Sequence, residues 1–146
     1  MRKTIVSLIL VKDGKILVER RKSSDDLDAG KCVFPGGHVD DGEGIEQSLH
    51  REVREELGIE LIDPILVYES DFDGPEEQQR LYWYACESFS GDLQTNEAAE
   101  LLWIDPSESH LLSYQVTRDA LEAYLKISSL PSFRTSQTAS EKSPKP

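Results

Sequence analysis

The hydrophobic positions of the chain follow two different periods, which predict both strands and helices. Residues 4–11 (TIVSLILV) are apolar and β-branched, and residues 15–20 (KILVER) follow them after an Asp-Gly pair, a pattern that predicts a β-hairpin. Residues 79–89 (QRLYWYACESF) predict another strand. Shorter apolar stretches predict further extended segments at 32–34, 59–68 and 101–104.

Two segments have apolar residues at the spacing of an α-helix. Residues 46–57 form the first, and Gly58 is well suited to end it. The second covers residues 114–127, with apolar side chains at Val116, Ala120, Leu121, Tyr124 and Leu125. Polar residues predict loops at 21–31, 71–77 and 90–100. Mixed strands with two helices predict an α/β fold.

The length and composition predict one domain followed by a tail. A chain of 146 residues with 38% hydrophobic residues can bury one ordinary core. We assign that domain to residues 1–128. Residues 129–146 are rich in Ser, Thr, Lys and Pro, so we expect a disordered tail there.

The net charge of −12 restricts the partners that the protein can bind. A protein this acidic is a poor general binder of nucleic acid, and a divalent cation would have to offset the charge of a phosphate substrate. No apolar run has the roughly 18–20 residues needed to span a membrane. The two cysteines form no CxxC pair, which disfavours a disulfide framework or a zinc site, and a reducing cytoplasm is expected.

The first predicted helix contains an unusual set of carboxylates. Glu52, Glu55 and Glu56 are three and four residues apart, so they lie on one side of the helix, next to an apolar stripe. Like charges placed there raise one another's pKa, and a hard cation such as Mg²⁺ removes that repulsion. Arg51 is four residues before Glu55 and can pair with it. The alternative interpretation is a solvated acidic surface helix.

Two glycines precede this helix. Gly36 and Gly37 have no side chains, so their backbone can approach a metal or phosphate closely and can adopt a positive φ. We therefore expect a loop at Gly36 and Gly37, and Pro35 would stiffen the backbone where the loop begins.

The glycines and the acidic helix together match a long template, G-x5-E-x7-R-E-U-x-E-E-x-G-U, where U is aliphatic. Gly37, Glu43 and residues 51–59 (REVREELGI) satisfy every specified position. That template is the Nudix box, and the chain resembles a Nudix hydrolase of the MutT-like type over roughly residues 3–126. The resemblance implies an α/β/α sandwich with a mixed β-sheet, and the cleavage of phosphoric anhydride bonds in nucleoside diphosphate derivatives with bound Mg²⁺ or Mn²⁺.

The resemblance also implies roles for individual residues. Metal binding falls to Glu52, Glu55 and Glu56, with the Gly36 carbonyl as a further ligand, and Arg51 and Glu43 would orient the loop and the helix. Many members add a carboxylate from a later loop, and Glu97 suits that role, with Glu100 as its competitor. One glutamate would accept the proton of the attacking water, and Glu52, Glu55, Glu56 and Glu97 all stay open for that role.

The expected substrate-binding residues lie on other elements. Arg20 and Arg21 end the second strand and could hold a phosphate, the alternative being a solvated strand end. Tyr82 belongs to an alternating aromatic strand in which one face could stack a base, although core packing is the more common role of such rings. Tyr114 and Gln115 open the last helix, near where family members often contact the base.

Three functional classes are compatible with the sequence. The short domain favours a nucleoside triphosphate, oxidised (8-oxo-dGTP type) or not. An ADP-ribose or nucleotide-sugar pyrophosphatase is the alternative, weakly supported by Pro75, whereas Asp26 replaces the Arg expected in coenzyme A-cleaving members. A nucleotide-binding sensor without catalysis is the third possibility. The protein would be a monomer or a homodimer that binds a small-molecule nucleotide and neither nucleic acid nor a membrane.

Overall fold

The structure is a computed structural model that describes residues 3–22, 30–74, 77–94 and 99–129. The strands in this part of the chain are β1 (Lys3–Lys12), β2 (Lys15–Arg21), β3 (Cys32–Val33), β4 (Gly36–His38), β5 (Glu60–Leu61), β6 (Ile65–Asp73), β7 (Gln78–Cys86), β8 (Phe89–Ser90) and β9 (Ala99–Ile104). Two α-helices, α1 (Ile45–Leu57) and α2 (Gln115–Ser128), accompany a 3-10 helix at Pro106–Leu111. The α/β class is confirmed.

Strand β1 is at the centre of a mixed sheet. It pairs in parallel with β7 and antiparallel with β4 and β2. Strand β6 extends the sheet beyond β7, while β3 and β9 both pair with β2. The β1–β2 turn has positive φ values at Asp13 (53°) and Gly14 (75°), as the hairpin signal predicted.

Helices cover both faces of this sheet, because its strands alternate apolar side chains between two cores. The α1 side contains Val6, Leu8 and Leu10 of β1 together with Leu49, Val53 and Leu57 of the helix. The α2 side contains Ile9 of β1, Leu81, Trp83 and Ala85 of β7, and Ala120, Leu121 and Tyr124 of the helix. The predicted α/β/α sandwich therefore rests on the two-residue period of β1 and β7.

Helix α1 begins and ends near the predicted positions. The backbone N–H of Gly44 donates to Oε1 of Gln47 at 3.2 Å at its start. Gly58 ends it with a φ of 70°, and its N–H donates to the Arg54 carbonyl at 3.1 Å. Helix α2 begins and ends one residue later than predicted.

Several predicted loops are wrong in part: β2 extends to Arg21, β8 includes Ser90, and β9 begins at Ala99. Residues 71–73 belong to β6, where Asp71 pairs with Arg80 and the polar sequence is stabilised by the ladder to β7. Gly36 and Gly37 belong to β4, and neither has a positive φ. Their backbone pairs with Ser7 and Val6 of β1, so the loop expected there is an extended strand.

Other differences concern short elements. The strand predicted at 79–89 ends at Cys86, and Phe89 pairs in β8 with Leu61 of β5. The 3-10 helix was not predicted, although Asp105 caps it by accepting a hydrogen bond from the Ser107 N–H at 2.9 Å. A helix of six residues is too short to show an apolar period, and its capping hydrogen bonds stabilise it instead.

The predicted tail, except for Ser129, lies outside the described part of the chain. Within that part, neither helix has the length and apolar character needed to cross a membrane.

Candidate active site

The candidate site lies where β4, the carboxylate side of α1 and the end of β2 meet. Gly37 explains part of this geometry, because a Cβ atom at this position would lie closer than 3.0 Å to the carboxyl carbon and both oxygens of Glu52. The absence of a side chain on β4 therefore leaves the space that the Glu52 carboxylate occupies. The group that lies against Gly37 is thus the Glu52 side chain, and the approach of a metal or phosphate to the glycine pair stays a prediction.

Gly36 has a different role from Gly37. A Cβ atom on Gly36 would collide with the backbone of Val6 and Ser7 in β1. This glycine is therefore needed for close packing of two strands. Its carbonyl as a metal ligand stays a prediction.

Arg51 is the centre of a network of acidic partners. Its guanidinium binds Glu43 with two bonds, from Nε to Oε2 at 2.7 Å and from Nη2 to Oε1 at 3.0 Å. Nη1 donates to Oε1 of Glu52 at 3.0 Å and to Oε2 of Glu55 at 3.3 Å. Nη2 also donates to the His38 carbonyl at 3.1 Å, which ties α1 to β4. The predicted pairing of Arg51 with Glu55 is present.

Arg51 and Glu43 stabilise each other's charged forms. The hydrogen bonds from Arg51 lower the pKa of Glu43, and the same bonds raise the pKa of Arg51. A bidentate arginine–carboxylate pair is geometrically specific as well as charged. Arg51 and Glu43 therefore hold the segment between β4 and α1 in one arrangement.

Glu56 has a partner that the sequence analysis missed. Glu19 of β2 is 4% exposed, and its carboxyl group forms a side-chain hydrogen bond with that of Glu56. Two carboxyl groups can share such a bond when one of them holds a proton. The signal was present in the alternation of β2, because Glu19 has the same parity as the buried Leu17, which faces the α1-side core.

Burial raises the pKa of Glu56 to about 8, and the charges of Glu19 and Glu52 add to this effect. Burial likewise raises the pKa of Glu19, with Arg21 acting in the opposite direction. The repulsion predicted among the helix carboxylates is thus strongest between Glu56 of α1 and Glu19 of β2.

The three helix carboxylates differ in burial, so they do not all lie at the edge of the buried face. The Glu55 side chain is 60% exposed, whereas that of Glu52 is 14% exposed. At 100° per residue, Glu56 lies next to the apolar stripe of Leu49 and Val53, and Glu55 points away from it. Arg51 also draws Glu52 and Glu55 toward itself. Among the described residues, no three acidic, His or Cys side chains form a ready-made metal-chelating group.

Glu97, predicted as a further metal ligand, lies outside the described residues. Its competitor Glu100 pairs with Arg20, whose Nε and Nη2 donate to Oε1 at 2.9 and 2.6 Å. The described residues on either side of Glu97 are Gln94 and Ala99. The Gln94 N–H donates to the Leu57 carbonyl at 2.8 Å, and Ala99 pairs with Arg21 of β2.

The two arginines at the end of β2 have different environments. Arg20 is held on the surface by Glu100, with 47% of its side chain exposed. Arg21 is more buried, and its Nη1 lies 3.9 Å from Oε2 of Glu19. The structure therefore places the Arg21 guanidinium beside Glu19, whereas the Arg20 guanidinium is bound to Glu100.

The aromatic candidates lie on different faces of the sheet. Tyr82 faces the α1 side, half-buried, with the Arg80 guanidinium 5.4 Å from its ring. Trp83 faces the α2 side, 3% exposed, so it is a core residue. Tyr114 precedes α2, with Lys31 Nζ 4.9 Å from its ring, and Gln115 bonds within the helix to Asp119 at 2.7 Å. Tyr82 and Trp83 therefore lie on opposite faces of the sheet and cannot stack on one base together.

A cavity of about 430 Å³ lies elsewhere, at the β1–β2 turn and the end of α2. Lys12, Gly14, Glu87 and Tyr124 are among the residues that line it. The turn is at the opposite end of β2 from Glu19, so this cavity is separate from the candidate site.

With this geometry established, the comparisons with known proteins identify the family. The model of the NUDIX domain matches residues 1–124. The chain belongs to the NUDIX domain family. It is a Nudix hydrolase of the MutT-like type that acts on phosphoric anhydride bonds, as the resemblance of its sequence predicted.

Individual relatives agree with this assignment. The chain is 36% identical over 105 residues to a CTP pyrophosphohydrolase of Escherichia coli, covering 72% of this chain and 77% of the relative. It is 33% identical over 134 residues to the nucleoside triphosphatase NudI of Salmonella agona, covering 82% and 94%. A solved structure of a MutT NUDIX hydrolase from Burkholderia pseudomallei is 30% identical, with a TM-score of 0.73 over 84% of this chain and 98% of that one.

Nudix hydrolases generally use divalent metal ions. The residues of this Nudix hydrolase fit such an ion chemically, because carboxylate oxygens are what Mg²⁺ and Mn²⁺ prefer and the Glu19–Glu56 pair has excess negative charge when both groups ionise.

Proposed function

We propose that this Nudix hydrolase is a Mg²⁺-dependent pyrophosphohydrolase that cleaves a nucleoside triphosphate to the monophosphate and pyrophosphate. The observation that supports it is the partly buried Glu56 carboxyl group, which lies against Glu19 and in the field of Glu52. Burying like charges together is costly unless a cation or protons offset them. In a hydrolase, such a cation would also neutralise the charge of a polyphosphate substrate.

The proposed metal ligands are Glu52, Glu55 and Glu56, with Glu97 and the Gly36 carbonyl as further candidates. Of these, Glu52 lies against Gly37 and Glu56 is partly buried, whereas the Glu55 side chain is 60% exposed. A bound divalent cation would neutralise phosphate charge and lower the pKa of the attacking water. Mn²⁺ would substitute for Mg²⁺ in this role because it accepts the same oxygen ligands.

The protein's own residues would then position the reaction. Arg51 holds Glu52 through a 3.0 Å bond and so limits the places its carboxylate can reach. Arg21, beside Glu19, is the candidate for binding a substrate phosphate. A glutamate of the set would accept the proton of the water, with Glu52, Glu55, Glu56 and Glu97 as candidates.

The proposed substrate class follows from the relatives. Two of them are named for the hydrolysis of nucleoside triphosphates, and the chain covers 77% and 94% of their lengths. A binding site for the base is proposed at Tyr114 and Gln115, next to Lys31. Tyr82 is proposed as a contact on the α1 side, where it is only half-buried.

The test is product analysis on a substrate panel with Mg²⁺, comparing the wild-type protein with Glu56→Gln. The panel contains unmodified and 8-oxo nucleoside triphosphates, ADP-ribose and a dinucleoside polyphosphate. We expect a triphosphate to yield monophosphate and pyrophosphate, and Glu56→Gln to reduce the rate by about 10³-fold, within the range for loss of one essential catalytic group.

The matched control is Glu60→Gln, which removes a carboxylate from the exposed strand that follows the helix. Its rate should stay within about twofold of the wild type, since exposed ion pairs contribute little. Cleavage of ADP-ribose alone would favour the ADP-ribose pyrophosphatase, and tight nucleotide binding without turnover would favour a sensor. Either result would overturn the proposed function.

A further inference from the structure

Glu19 is unusual among the acidic residues that the structure describes. It is 4% exposed, and the other buried polar residues described are the uncharged Ser48 and Thr117. A carboxylate is seldom buried to this extent unless something binds it. Its burial therefore needs a physical explanation.

The surroundings of Glu19 show that its position suits an apolar residue. On β2 it follows Ile16, Leu17 and Val18, all fully buried. Its neighbours across the ladder are Val33 of β3 and Leu101 of β9. Leucine or valine would fill this position without the cost of removing a charge from water. Local packing gives no reason for a glutamate.

The contacts of Glu19 point to the carboxylate set of α1. Its carboxyl group bonds to that of Glu56, which in turn lies in the field of Glu52. The nearby cation, Arg21, approaches Oε2 at 3.9 Å, which is longer than a hydrogen bond. Glu19 therefore has a cation at ion-pair distance on one side and the Glu56 carboxyl group on the other, so the arrangement is more than an ion pair.

We propose that Glu19 is a positioning residue of the metal site: it orients the Glu56 carboxylate and adds one buried negative charge to the set that binds the divalent cation. This inference rests on the proposed function, and it assigns a role to a β2 residue outside the glycine-and-helix segment. Groups that hold metal ligands from behind tune both ligand orientation and affinity.

A purely structural role makes the opposite prediction. If Glu19 served only to fasten β2 to α1, its loss would lower the stability of the metal-free protein and leave metal affinity unchanged. If Glu19 serves the metal, neutralising it relieves repulsion in the metal-free protein and weakens metal binding. Stability without metal and affinity for metal should therefore change in opposite senses.

The experiment measures Mn²⁺ affinity by electron paramagnetic resonance and the Tm of the metal-free protein, with Glu19→Gln as the variant. Glutamine has nearly the same shape and can still donate a hydrogen bond to Glu56, but it removes the charge. We expect Mn²⁺ affinity to fall about tenfold, as for other residues that support metal ligands. The metal-free Tm should be unchanged or higher.

Glu60→Gln is the matched control, since it removes one charge near the end of α1 from a side chain that is 53% exposed. Its Mn²⁺ affinity should change by less than about twofold, because exposed charges are screened. A similar loss in both variants would show a general field effect and overturn the assignment to Glu19.

A double substitution tests whether Glu19 acts through Glu56. In the double variant Glu19→Gln/Glu56→Gln, Mn²⁺ affinity should be less than about twofold lower than in Glu56→Gln alone, because the effects of coupled residues are not additive. Fully additive losses, or an unchanged Mn²⁺ affinity in Glu19→Gln, would overturn the proposal. If the wild type hydrolyses triphosphates while Glu19→Gln binds Mn²⁺ normally, this inference fails and the proposed function stands; a wild type that binds no Mn²⁺ would overturn both.

Discussion

The acidic residues of this Nudix hydrolase fall into two groups that differ in how their charge is offset. Around Arg51, the acids Glu43, Glu52 and Glu55 bind a single guanidinium, and the pKa of Glu43 is lowered. Around Glu56, the nearest bonded group is another acid, Glu19, and burial raises the pKa of Glu56 to about 8. We call the first group compensated, because each of its acids accepts a hydrogen bond from Arg51. We call the second group uncompensated, because the cation beside it, Arg21, lies 3.9 Å from Glu19, beyond hydrogen-bond distance.

This difference separates structural from functional acids. A bidentate pair such as Arg51–Glu43 fixes the geometry between β4 and α1 without needing any ligand. An uncompensated buried pair is stabilised when a cation or protons supply positive charge. The comparison predicts that breaking the first group misplaces the site, whereas neutralising the second group changes its affinity for metal.

Replacing Arg51 tests the compensated group and should have the largest effect of the substitutions outside the Glu19–Glu56 pair. Arg51→Ala leaves Glu43, Glu52 and Glu55 without their shared cation, and we expect kcat to fall about 100-fold because the Glu52 carboxylate loses its orientation. Arg51→Lys should recover little of this, because an ammonium cannot form the two-bond fork with Glu43. Steady-state kinetics on a triphosphate would measure both.

Arg54→Ala is the control for that substitution, since Arg54 is on the same helix, exposed and bonded to Glu60. Its kcat should stay within about twofold of the wild type. If Arg51→Ala behaved like Arg54→Ala, the distinction between the two acidic groups would be wrong.

A methyl group on β4 should move Glu52 without altering any charge. In Gly37→Ala the Cβ atom would collide with the Glu52 carboxyl group, so we expect Mn²⁺ affinity to fall about tenfold. Gly44→Ala is a suitable control, because the nearest atom to a Cβ there is Gln47 Oε1 at 3.8 Å. Equal affinities in the two variants would mean that Glu52 does not need its present position.

The two arginines of β2 should differ in their effect on substrate binding. Arg21 lies beside Glu19, whereas Arg20 is bound to Glu100 on the surface. Arg21→Ala should lower kcat/KM about tenfold, as expected for a lost phosphate contact, and Arg20→Ala by less than about twofold. A larger effect for Arg20→Ala would place the phosphate-binding side of the site at the other arginine.

The smallest effect concerns pH and the metal-free protein. The pKa of Glu56 rises from 4.5 to about 8 on folding, so the folded state holds this proton more tightly than the unfolded chain does. Its contribution to stability is therefore full below about pH 4.5 and is lost as the pH rises to about 8. We expect the Tm without metal to fall by a few degrees across this window.

Saturating Mg²⁺ should remove most of that fall, because ligand binding stabilises the folded state in which the carboxylates are ionised. Glu56→Gln should flatten the profile without metal. A wild-type Tm that rises from pH 5 to pH 8 without metal would contradict the uncompensated charge of this group.

The sequence was informative wherever local pattern and local structure coincide. The β1–β2 hairpin followed from Asp13-Gly14, and the end of α1 followed from Gly58, because a positive φ is a property of single residues. The family followed from the spacing of the glycines, Glu43 and the helix acids. Pattern failed at residues 71–73, where polar residues form strand only because β7 pairs with them.

The sequence by itself determined the family, the fold class and the acidic helix, since these depend on residue type and spacing along one segment. Only the tertiary structure decided how the acids divide. It placed Glu19 of β2 against Glu56, put Gly37 against Glu52, and turned Glu55 toward solvent. The reason is physical: whether a carboxylate is compensated depends on which charges reach it through space, and those charges come from strands distant in the chain.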